Sequence, residues 1–198
     1  MIWWCKVRAI HVVVASTVGT VALGLLIGNA ELPVPALTGQ SGQFLVAHLM
    51  TLVPAVTLLY GLSRGNIPSE SIAARNLRYW DSALALCIAA VGVLASFLCR
   101  IALSSDLPVV LGRNLVGYLG LALLLFPLVG SQLAGAALAA VPLILAASGW
   151  GPGGTPEPWA WLLHPADSTM AMVLAISAVG IGVAMTALWS RPPFQVNP

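Results

Sequence analysis

Few residues of this chain can attack, ligate or move a proton, and they do not gather. The three histidines, His11, His48 and His164, fall on different segments. His11 and His48 lie toward opposite ends of neighbouring apolar runs, too far apart to stack as axial haem ligands. The three cysteines, Cys5, Cys87 and Cys99, are dispersed and odd in number, which gives neither a CxxC pair nor a disulfide framework. There is no HExxH, GxSxG or paired-acid motif, so an enzyme here would lack nucleophile, base and metal. A GxxxxGK[ST] phosphate loop needs a lysine, and the one lysine is Lys6. The expectation is a chain that is not an enzyme, holds no metal or cofactor, and leaves any ATP to another subunit.

Charge inside an apolar run is costly and marks either pairing or function. Arg100, Asp106, Arg113 and Asn114 are the candidates. Arg100 falls about one turn before the end of one apolar run, and Arg113 one turn into the next. An Arg100–Asp106 pair, an Arg113–Asp106 pair, snorkelling to headgroups, or a polar lining for a substrate path are the alternatives.

The elements that carry these residues follow from composition. Of 198 residues, 59% are hydrophobic and 7% charged, against about 25% charged in a soluble domain; the mean hydropathy is +0.96. Too little polar surface remains to face water, so the solvent is lipid. A net charge of +2 excludes a basic field for nucleic acid. The predicted fold is an all-α polytopic membrane protein forming a single transmembrane domain over 1–198. Its six helices are expected at about 9–28, 43–62, 82–103, 109–129, 133–148 and 168–189. The first apolar run is about 20 residues, longer than the roughly 7–15 of a signal peptide core, and reads as a retained helix. The run from about 109 to 148 is about 60 Å of helix, twice the bilayer core, and must turn back near Gly130-Ser131-Gln132.

Placing both termini in the cytoplasm puts Lys6, Arg8, Arg64, Arg75, Arg78 and Arg191 inside and only Arg100 and Arg113 outside, as the positive-inside tendency requires. The seven tryptophans all fall near expected span ends or in one loop, the headgroup level where an indole settles. The expected location is the cell (plasma) membrane. Pro54, Pro127 and Pro142 fall inside expected spans and remove one helical hydrogen bond each.

Two connections exceed a turn. The cytoplasmic one carries a predicted amphipathic helix at about 69–80, with Ser69 as N-cap and Glu70 in the first turn. Ala73, Leu77 and Trp80 line one face and Ser71, Arg75 and Arg78 the other. It lies on anionic headgroups or docks a cytoplasmic partner. The extracytoplasmic loop, about 149–167, is rich in Gly, Pro and Trp. Its Trp159-Ala160-Trp161-Leu162-Leu163 string is too apolar for a solvated loop, so it dips back into the leaflet or forms an aromatic belt; Trp159, Trp161 and His164 are its marked residues.

Gly112-Arg113-Asn114-Leu115 with Tyr118-Leu119-Gly120-Leu121-Ala122-Leu123, and the run from Trp159 to Asp167, resemble strings in small actinobacterial membrane proteins similar to permease subunits of ATP-binding cassette exporters. The plan resembles the type V exporter fold, which has a coupling helix between helices 2 and 3 and a re-entrant segment between helices 5 and 6. That family usually begins with a long amphipathic connecting helix, whereas Met1 to Arg8 precede helix 1 here. The resemblance implies a separate cytoplasmic ATPase that binds ATP, with Glu70, Arg75, Asn76 and Arg78 as its contacts. It also implies a homo- or heterodimer flanking a central path among lipids. The other reading is a non-transporting membrane protein that anchors or stabilises a larger complex.

Overall fold

A computed structural model describes residues 2–27, 30–35, 41–64, 77–151 and 153–188, with backbone alone at 2–3, 33–35, 41–43 and 77–78. A short helix α1 (Ile2–Val7) turns into α2 (Ile10–Ile27) through Ala9, which is fully buried and has a left-handed φ of 48°. Strands β1 (Glu31–Pro35) and β2 (Ser41–Leu45) pair antiparallel, Glu31 opposite Leu45 and Pro35 opposite Ser41. Then come α3 (Val46–Met50), α4 (Leu52–Ser63), α5 (Leu77–Leu103), α6 (Leu107–Ser148) and α7 (Thr169–Leu188). Among the described residues the protein is mostly helical, with five to six helices long and apolar enough to span a membrane.

The purely helical expectation is corrected by the β1–β2 hairpin. Residues 43–45, expected to begin a helix, belong to β2, and the helix starts at Val46. Pro33 and Pro35 lie within β1, where their missing N–H groups disfavour a helix. A second correction concerns residues 77–80, expected to end a surface helix. They are the first turn of α5, which begins at Leu77 and not near 82. The remainder of that expected helix, with Glu70, Arg75 and Asn76, lies outside the described residues.

Helix α6 is 42 residues long and reverses at Gly130, whose backbone (φ 78°, ψ 173°) is open almost only to glycine. The ring of Trp161 lies over Gly117 in the first arm, 107–129, and the neighbouring Ala160 and Leu163 touch Gly149, just past the second arm, 131–148. A straight helix would hold those two glycines about 48 Å apart. The arms are therefore antiparallel.

Proline placement sets two of the cross-helix bonds. Pro54 has no N–H for the carbonyl of Met50, and the chain breaks at Thr51 between α3 and α4; the Thr20 hydroxyl of α2 donates to that carbonyl at 3.3 Å. Pro127 leaves the Leu123 carbonyl without its amide, and the Thr186 hydroxyl of α7 donates to it at 3.0 Å. Each threonine satisfies an acceptor that lipid could not. Small residues bring backbones together: a Cβ on Gly120 would strike Ala178 and Val179 of α7, and one on Gly182 the Gly120 carbonyl. The core follows these contacts, centred on Leu58, Tyr118, Leu119, Leu123, Leu138 and Leu162. Apolar side chains on the outer faces of α5 and α7, such as Leu94, Phe97, Val173 and Ile176, stay exposed, as lipid contact requires.

Candidate functional site

Polar chemistry collects at the two ends of the bundle. At one end, Arg8 is 2% exposed and grips Asp81 in a two-pronged pair, Nε to Oδ1 at 2.9 Å and Nη2 to Oδ2 at 2.7 Å. Its Nη1 donates to the Leu62 carbonyl at 3.0 Å. The indole N–H of Trp4 donates to Oδ1 of Asp81 at 3.3 Å, and the Trp4 ring meets Trp80 edge-on. Gly61 fits because a Cβ there would strike the Arg8 carbonyl. One guanidinium thus joins the segment before α2, the end of α4 and the start of α5. Sequence reading counted Arg8 only as a basic residue for orientation; Asp81 lies 73 residues away, and no local pattern links the two.

At the other end, Arg113 is 1% and Asn114 0% exposed, both on the first arm of α6. The first two guanidinium bonds reach the loop between α6 and α7: Nη1 donates to the Pro165 carbonyl at 2.7 Å and Nη2 to the His164 carbonyl at 2.8 Å. Nε donates to Asn114 Oδ1 at 3.4 Å. Of the two alternative partners for Asp106, Arg113 is not the one that pairs with it and Arg100 is. Arg100 and Asp106 meet at 3.2 Å, on the surface, with side chains 51% and 70% exposed; exposed pairs of this kind contribute about 0–1 kcal/mol.

The 149–167 loop is built to reach Arg113. Gly153 and Gly154 have φ of 85° and 74° and turn the chain back, so that Gly151 N–H meets the Thr155 carbonyl and Glu157 N–H the Gly149 carbonyl. Ala160 and Leu162 are fully buried. Trp161 packs edge-on against Tyr118, centroids 5.5 Å apart, whereas Trp159 is half exposed. His164 is braced by the Glu157 carbonyl at 3.1 Å and the Ser168 hydroxyl at 3.3 Å. The apolar string therefore covers the ends of α6 with its own backbone hydrogen-bonded.

Of the remaining sequence candidates, Arg78 lies in the first turn of α5 with only its backbone described. His11 is exposed and His48 buried, and the cysteines are unpaired. Among the described residues no group of His, Cys, Asp and Glu could hold a metal. Sequence reading gave Tyr118 no role beyond its place in the resembling string and treated His48 as an isolated polar residue; Tyr118 falls one helical turn after Asn114, a spacing that places both on one face. A groove of about 650 Å³ between α5 and α7, lined by Leu86, Val93, Phe97, Val116, Ile176 and Val179, carries apolar surface almost alone.

No family model, curated protein or solved structure matches this chain. Function therefore rests on the geometry of these two ends and of the helices between them.

Proposed function

We propose that this chain is the membrane-spanning permease subunit of an ATP-binding cassette exporter, driven by a separate cytoplasmic ATPase. In this reading it crosses the cell membrane six times, the two arms of α6 counting separately, with both termini in the cytoplasm. The observation that carries it is the Arg8 clamp. Arg8 holds Leu62 and Asp81, which flank the connection bearing Glu70, Arg75, Asn76 and Arg78. A connection that docks on an ATPase must pass its displacement into the spans. A buried, two-pronged ion pair at the root of that connection is a stiff coupling to three of them. The seated outer loop supports the same plan, since it closes the opposite end of the bundle.

The alternative is a non-transporting protein that anchors or stabilises a larger membrane complex. One experiment separates the two. The chain, expressed with its neighbouring genes and purified in mild detergent, co-purifies with an ATPase in near-stoichiometric amount. Charge reversal at Arg75 and Arg78 removes that partner while leaving membrane insertion intact. Recovery of other membrane subunits without an ATPase, unaffected by the reversal, establishes the anchoring role instead.

A further inference from the structure

Arg113 is a buried cation with no carboxylate paired to it among the described residues. The ion pairs among the described residues are Arg8–Asp81 and Arg100–Asp106. A guanidinium has five N–H donors; three are taken, all by neutral acceptors, namely the Pro165 and His164 carbonyls and Asn114 Oδ1. The same arm of α6, and the helix α3 packed against α6, carry polar atoms with no hydrogen-bond partner among the described residues: Asn114 Nδ2, the Tyr118 hydroxyl and His48 Nδ1. Asn114 and Tyr118 are 0% and His48 4% exposed. Asn114 and Tyr118 are one turn apart on α6, and His48 lies on α3, which packs against α6. A structural arginine is ordinarily neutralised where it is buried, and buried polar groups ordinarily find partners. Here one charge and three groups fail that rule together.

We infer that Arg113, Asn114 and Tyr118, with His48 beside them, form a binding site for an oxyanion of the phosphate or carboxylate type. The anion supplies the missing negative charge and accepts the spare guanidinium N–H groups, the Asn114 amide and the Tyr118 hydroxyl. Two neutral carbonyls, His164 and Pro165, cover the guanidinium, so the 149–167 loop bounds the site and its displacement admits the ligand. Trp161, edge-on to Tyr118, reports occupancy through its fluorescence. The inference does not require transport; the phosphate of a net-anionic lipid headgroup, uncompensated by choline, and a free anion share this chemistry.

The test measures thermal unfolding of purified protein in two arms. One compares nanodiscs of phosphatidylcholine with the same discs doped with phosphatidylglycerol. The other adds inorganic phosphate to phosphatidylcholine discs, at ionic strength held constant with chloride. Stabilisation in the first arm alone assigns a lipid headgroup; stabilisation in the second assigns a free anion. Arg113→Gln should abolish the response. Because that variant also releases the loop, Tyr118→Phe and Asn114→Leu are the decisive ones. Each should lower apparent affinity about tenfold, the value of one hydrogen bond to a charged group. Without a ligand, deleting the unpartnered Tyr118 hydroxyl leaves the melting temperature unchanged or raised. No stabilisation in either arm, or variants that respond as the wild type does, overturns the site.

Discussion

The Thr186 hydroxyl donates to the Leu123 carbonyl, 63 residues away, at 3.0 Å, and that carbonyl is the one Pro127 deprives of its helical amide. The bond joins the first arm of α6 to α7 close to where Gly120 and Gly182 bring their backbones together. In hydrocarbon no water can replace it. Thr186→Val should therefore destabilise the protein by about 1–2 kcal/mol, the upper range for hydrogen bonds between membrane helices. In a Pro127→Ala background the helix supplies its own amide, and the same substitution should cost less. A double-mutant cycle by thermal unfolding in detergent checks this; equal costs in both backgrounds would show that the proline and threonine act independently.

The Arg8–Asp81 pair has side chains 2% and 9% exposed, so removing one partner strands a buried charge. Asp81→Asn is expected to cost roughly 3–5 kcal/mol, and an Arg8→Met, Asp81→Leu double variant to recover part of it. Equilibrium unfolding reads both. A near-neutral Asp81→Asn would contradict the clamp, and with it the mechanical support for coupling.

Gly130 reverses α6 in a backbone conformation that disfavours a Cβ, although a Cβ there would meet no neighbour within 4 Å. The cost of Gly130→Ala is thus conformational, about 1–3 kcal/mol, while Gly180→Ala, helical and equally uncrowded, should be neutral or stabilising by up to about 1 kcal/mol. Melting curves of the two variants, compared side by side, separate backbone strain from packing. Similar losses in both would refute the strain.

Topology has a direct readout. Asn66→Cys and Thr155→Cys, one in each long connection, should label with a membrane-impermeant maleimide from opposite faces of sealed vesicles. Labelling of both from one face removes the six-span arrangement.

The local chemistry of this chain was legible in its residues. Runs of about 20 apolar residues with 7% charge overall dictate helices in lipid, because a membrane-embedded backbone must satisfy itself. A 42-residue apolar run exceeds one crossing, and Gly130 is the residue in it best able to turn. That Arg100 and Asp106 could pair was readable from their separation along the chain. The β1–β2 hairpin was not, since its alternation is interrupted by Pro33 and Pro35, and neither was the start of α5 at Leu77, because residues 77–80 continue a helical pattern into an apolar span without a break.

What only the tertiary structure decided is which distant groups share an axial level. Helices slide past one another at little cost to their sequence patterns, so nothing local tells that Arg8 meets Asp81, that Thr186 reaches Leu123, or that Arg113 is held by the carbonyls of His164 and Pro165 and not by Asp106. Those levels are set by close backbone approaches, Gly61 on Arg8 and Gly120 on Gly182, and by the loop that the two arms of α6 bring back over Gly117. The same register buries Asn114, Tyr118 and His48 and leaves one polar atom of each without a hydrogen-bond partner among the described residues: composition provided the polar residues, and helix packing decided which of their atoms are paired.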